Sequence, residues 1–144
     1  MKRIFFFALF ILAGTFQLRA GDDPGAPVVS PEKHYKIIQT RQEDGGPGWS
    51  WTGKVIFSDS RYPNFTLEPS ALCWPALYYI SPDEHWILRI QKTGSGDNDV
   101  FLYQVSDGGI TQATEPSFGE MIWNYYLSIS GRKLSEFYHT GFEF

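Results

Sequence analysis

Ser81-Pro82-Asp83-Glu84-His85-Trp86-Ile87-Leu88-Arg89-Ile90-Gln91-Lys92 opens the stretch that decides the fold. It continues through Thr93-Gly94-Ser95-Gly96-Asp97-Asn98 into Asp99-Val100-Phe101-Leu102-Tyr103-Gln104-Val105 and closes on Ser106-Asp107-Gly108-Gly109. Proline in Ser81–Glu84 stands at the second position of a turn, where its fixed φ fits. His85–Lys92 then alternates, with Trp86, Leu88 and Ile90 on one face and Ile87, Arg89 and Gln91 on the other. Gly94–Asn98 turns the chain. Asp99–Val105 is apolar on both faces, which places it at the centre of a sheet. Asp107-Gly108-Gly109 signals another hairpin.

Outward from this core the same grammar recurs. Ala76–Ile80 reads as a short strand, as does His34–Thr40, with Tyr35 and Ile37 on one face. Gln42–Gly48 is a turn cluster. Trp49–Phe57 can carry Trp49, Trp51, Val55 and Phe57 on one strand face, with Gly53 suggesting a bulge or bend. Ser58–Pro75 has no clear period, and so long an irregular stretch is unusual in a small domain. The pattern becomes helical at Ser117-Phe118-Gly119-Glu120, a capping box in which side chains satisfy free backbone N–H groups. Phe118, Met121, Ile122, Tyr125 and Ile129 follow at spacings of three and four. Gly131 ends the helix, with Arg132 and Lys133 at its negative pole. Glu136–Phe144 alternates like a final strand. The expected fold class is α+β: an antiparallel, hairpin-rich sheet with one helix at about 117–130 packed on it, its apolar stripe meeting the Trp86 face.

The run 81–109 resembles one repeat of a TolB-type or WD40-like β-propeller. Such a repeat opens on Ser-Pro-Asp, passes through an apolar strand, and ends in a strand like Asp99–Val105 followed by Asp-Gly-Gly. The match covers 29 residues, has Glu84 where the family has glycine, and is found once, so it implies a hairpin rather than an activity. Ser95-Gly96 is also similar to the Ser-Gly loop that small periplasmic lysozyme inhibitors present to their enzyme, although Asp97 and Asn98 depart from that pattern.

The chain has 144 residues, one cysteine, 17% aromatic residues and net charge −4. These values describe one small domain and exclude a disordered chain, a disulfide-stapled mini-protein and a basic nucleic-acid binder. Lys2-Arg3, the apolar run Ile4–Ala13 and the small-residue exit at Ala20 read as a secretory signal peptide over 1–20. The run is too short for a bilayer span, which needs about 20 apolar residues. Without Lys2, Arg3 and Arg19 the remaining 124 residues hold 9 basic and 16 acidic residues, a net charge of −7. Such a surface repels nucleic acid. Residues 21–33 read as a flexible lead-in, and 34–144 as the globular domain.

Chemistry is sparse in this sequence. Cys73 cannot form an internal disulfide and reads as a buried, inert thiol. His34, His85 and His139 lack metal-ligand spacing, Asp97-Asn98-Asp99 lacks the glycine of a calcium loop, and no cofactor signature occurs. Ser130-Gly131-Arg132-Lys133 spells S-x-x-K, but its serine closes a helix where a nucleophile would open one. Aromatic residues remain: Trp49, Trp51, Tyr62 and Trp74 sit in or beside irregular segments. They either fill the core under the long loop or form a surface for a protein or glycan partner, together with Ser95 and Gly96. The expectation is an exported, non-catalytic binding domain. The alternatives are a small secreted hydrolase using His85 or His139 with nearby carboxylates, or a structural part of an envelope assembly.

Overall fold

The computed structural model describes residues 25–43, 48–107, 109–137 and 141. The expected signal peptide, most of the expected terminal strand and His139 lie outside these residues. The fold is α+β, with two four-stranded antiparallel meanders and one helix. The first sheet contains β1 (Val28–Val29), β2 (Tyr35–Glu43), β3 (Trp49–Phe57) and β4 (Phe65–Thr66) in that order. The second contains β5 (Ala76–Ile80), β6 (Trp86–Lys92), β7 (Asn98–Ser106) and β8 (Gly109–Gln112), again in chain order. Helix α1 spans Phe118–Ser130 and packs on β7. β7 is central and buried on both faces, as its unbroken apolar sequence predicts.

Two corrections follow at the N-terminal side. Val28–Val29 pairs with Lys36 and Ile37, and Ser30 is buried, so part of the expected lead-in belongs to the sheet. Gly53 makes no bulge: the β2–β3 register is unbroken from Tyr35↔Phe57 to Glu43↔Trp49. Its role is close approach. A Cβ at Gly53 would fall 2.1 Å from the Tyr78 hydroxyl oxygen, so the missing side chain is the space that ring end occupies.

The Ser-Pro-acid turn itself occurs twice. Ser30-Pro31-Glu32-Lys33-His34-Tyr35 repeats Ser81-Pro82-Asp83-Glu84-His85-Trp86 in sequence and in bonding. Ser30 N–H reaches the Tyr35 carbonyl at 3.0 Å, and Ser81 N–H the Trp86 carbonyl at 3.0 Å. The Lys33 and Glu84 amides donate back to Ser30 O and Ser81 O, both at 2.9 Å. Each serine hydroxyl accepts from the aromatic residue's amide, at 3.1 and 3.0 Å. Lys33 and Glu84 both adopt the left-handed conformation, with φ of 64° and 60°.

Burial shows how the two copies stack. Tyr35, Ile37 and Val55 on the front of the first sheet pack against Tyr78, Ile87, Phe101 and Tyr103 on the back of the second. The second sheet's own front, carrying Ile90, Val100 and Leu102, is buried outside that cluster, on the opposite side. The repeats are therefore stacked head to tail. The back of the first sheet carries exposed Lys36, Thr40, Gln42 and Lys54, a solvated terminal face.

Helix α1 starts and stops where predicted, although only the Ser117 half of the expected capping box forms. Ser117 Oγ accepts from the Glu120 amide at 3.1 Å, and Gly131 takes the left-handed C-cap with φ 68°. Its expected burial is only partly met. Phe118 and Met121 are half-buried, but Ile122, Tyr125 and Ile129 are exposed. The N-terminal turn is what docks: Gly119 is buried and the Ser117 hydroxyl bonds Asp99 Oδ1 at 2.8 Å. Farther along, Trp123 and Tyr126 instead gather Phe137, which follows a short 3-10 turn at Leu134–Glu136.

The long stretch 58–75 is fastened from below. Arg89, 1% exposed, donates to Pro69 O at 2.7 Å, to Leu67 O at 3.3 Å and to Gln91 Oε1 at 2.6 Å. Tyr103 OH donates to Glu68 O. Carbonyl oxygens and an amide oxygen thus satisfy a buried guanidinium, in keeping with the rule that buried charge must be hydrogen-bonded.

Candidate functional site

The two ends of the stack differ in chemistry. At one end lie the start of β3, the end of β6 and the segment before β5. Trp51 and Leu72 form a backbone bridge, with N–H to O distances of 2.7 and 3.1 Å; Trp49, on β3, and Trp74, in the bend before β5, each lie two residues beyond it. Trp49 is 43% exposed and Trp74 45% exposed; Trp51 is half-buried. Each exposed ring carries a cation, with Arg41 Cζ 3.3 Å from the Trp49 centroid and Lys92 Nζ 4.5 Å from that of Trp74. Ser95 and Gly96, both exposed, belong to the hairpin that leaves β6 just after Lys92.

Tyr62 does not belong to this surface. It stacks at 5.3 Å on Phe57, and Phe57 is the register partner of Tyr35 at the opposite end. Cys73 also departs from expectation, because it is exposed. Cys73 lies in the bend that follows the isolated bridge at Leu72, outside any strand.

The opposite end holds a cleft of about 650 Å³ between the two Ser-Pro turns, the β3–β4 loop and the β7–β8 hairpin. Glu84 is its centre. At 8% exposure the carboxylate accepts from His34 Nδ1 and from the Glu32 amide, both at 2.6 Å, while its carbonyl accepts from Tyr35 OH at 2.9 Å. Burial alone would raise the Glu84 pKa, but the Ser30, Glu32 and His34 bonds outweigh it and hold the carboxyl below its ordinary value. His85 Nδ1 lies 3.5 Å from Asp83 Oδ2, and Asp83 is lowered chiefly by the Ser81 hydroxyl. Burial, with the charges of Glu84 and Asp83, pushes the Tyr35 phenol well up. The imidazoles stay accessible, with side chains 74% and 67% exposed.

Of the candidates the sequence offers, His85 and Tyr62 line this cleft, but Glu84 and its pairing with His34 were not foreseen. The signal available was the second Ser-Pro-acid-x-His segment at 30–34, which places His34 opposite the His85 turn. No hydroxyl meets either imidazole among the described residues: Ser58 donates to Lys33 O, Ser81 to Asp83 and Ser106 to Gly109 O. No group of three His, Cys, Asp or Glu converges as a metal site among those residues. No helix there is long and apolar enough to cross a membrane. No protein family, characterised protein or solved structure matches the chain.

Proposed function

We propose that this is an exported, non-catalytic domain that binds a protein partner through the end bearing Trp49 and Trp74. The observation that carries the reading is the exposure of these two rings on either side of the Trp51–Leu72 bridge, each with a cation against it. Aromatic and arginine side chains dominate interface hot spots. A protein partner is preferred to a glycan because each exposed ring is flanked by a cation, the Arg- and aromatic-rich combination that dominates protein interfaces. Export rests on the charged start, apolar run and small-residue exit of residues 1–20. The resemblance to a propeller repeat supports the architecture and carries no activity with it.

The hydrolase alternative draws on the His34–Glu84 and His85–Asp83 pairs. It is weakened by the hydroxyls that point elsewhere, which leave neither imidazole a serine side chain to activate, so only a water-activating hydrolase would remain. The test is a pull-down from native envelope with wild type and Trp49→Ala/Trp74→Ala, alongside acrylamide quenching. The reading expects a retained protein that the double variant loses. Equal retention by both proteins would refute it.

A further inference from the structure

We propose that the cleft at the turn end is a separate binding site for a cationic hydrogen-bond donor, a guanidinium or primary ammonium group, held by His34, His85 and Asp107 against the Phe57–Tyr62 wall. The inference does not depend on the tryptophan end.

The tautomers define the chemistry. An ionised carboxylate can only accept, so the proton in the 2.6 Å His34–Glu84 contact sits on His34 Nδ1. The Asp83 carboxylate beside His85 Nδ1 favours the same tautomer there. In this tautomer Nε2 is the ring nitrogen left without a proton, and so the acceptor, of each imidazole. The Asp59 carboxylate is already taken by the Arg61 guanidinium, with Nε at 3.1 and 2.9 Å from its two oxygens. Asp107 lines the same cleft with no ion pair among the described residues. A site offering two imidazole acceptors and a free carboxylate selects a donor with positive charge.

Shape and walls agree with this chemistry. The volume of about 650 Å³ suits a small molecule or one long side chain. Phe57 meets Tyr35 at 5.7 Å and Tyr62 at 5.3 Å between ring centroids, giving an aromatic wall of the kind that favours cations. The two histidines occupy equivalent positions of the repeated turn, so the duplication itself brings both acceptors to one cleft.

The guanidinium could belong to a free small molecule or to a partner's arginine, and the assay separates these sources. The purified protein is titrated with agmatine, an arginine-containing hexapeptide, choline and glutamate, with the His34 and His85 ring resonances followed by NMR. Agmatine or the peptide should shift both rings, and choline, which lacks N–H donors, should bind at least roughly tenfold more weakly. A peptide at least about tenfold tighter than agmatine assigns a partner's side chain; agmatine equal or tighter assigns a free ligand. Asp107→Asn should weaken binding by roughly tenfold or more. This variant keeps the side chain's size, and the Ser106↔Gly109 pair that closes the hairpin is made by backbone groups the substitution leaves in place. Choline binding as tightly as agmatine, unchanged affinity in Asp107→Asn, or no ring shift with any cation would overturn the proposal.

Discussion

His34 Nδ1 bonds Glu84 Oε2 at 2.6 Å, and this contact joins the turn of the first repeat to the turn of the second. Glu84 occupies a left-handed backbone position where glycine would be unstrained, and Lys33 occupies the equivalent position without any such bond. The two sites therefore respond oppositely to the same change. Lys33→Gly relieves strain at an exposed site and should stabilise by about 0.5–1 kcal/mol. Glu84→Gly relieves the same strain but abandons the His34, Glu32 and Ser30 groups, for a net loss of about 1–3 kcal/mol. Urea denaturation of both variants measures the difference. Equal effects at the two positions would show that the carboxylate does not tie the repeats together.

Acid should loosen this tie. Glu84 and Asp83 are both held below their ordinary values in the folded state, so the folded protein binds fewer protons than the unfolded chain in the acid range. Their stabilisation is complete above about pH 4.5 and is lost as pH falls through the folded values. Denaturation midpoints taken between neutrality and acid should fall in the wild type. The fall should be shallower in Glu84→Gln, and parallel curves would refute the assignment.

The Gly53–Tyr78 contact predicts a compensating pair. Gly53→Ala drives a methyl against the Tyr78 hydroxyl and should cost about 1–3 kcal/mol. The Tyr78 hydroxyl is buried and has no hydrogen-bond partner among the described residues, and burial pushes its pKa up to about 12. Tyr78→Phe should then stabilise by about 1 kcal/mol, and in the double variant it should recover part of the alanine's cost. A thermal double-mutant cycle reads the coupling, and strict additivity would contradict the packing argument.

Arg89 predicts behaviour at a distance. Arg89→Ala strips Leu67 O and Pro69 O of their donor and opens a void, at a cost of about 3–5 kcal/mol. Limited proteolysis in the folded baseline should cut within 58–75 far faster than in the wild type. Cleavage that stays as slow would mean the loop is fastened by other contacts.

Much of the architecture was legible because it rests on local grammar. Strands 49–57 and 76–80 have the limits that alternation assigns them, and the Ser117 and Gly131 caps stand where helix-end chemistry puts them. The two-residue strands β1 and β4 were not legible, since two residues carry no period. Arg89 and Gln91 are buried although polar, because their partners come from a loop about 20 residues away in sequence. The cleft escaped notice for a similar reason: His34 and Glu84 are 50 residues apart and meet only when one sheet lies on the other. The exposed stripe of Ile122, Tyr125 and Ile129 shows periodicity identifying a helix without saying which side is covered.

The paired turns also give the molecule an internal experimental reference. Ser30–Tyr35 and Ser81–Trp86 share their hydrogen-bond frame, so any substitution in one has a matched counterpart in the other. Solvent, temperature and fold are then common to both measurements. A perturbation seen at only one copy reports that copy's surroundings, and one seen at both reports the turn itself.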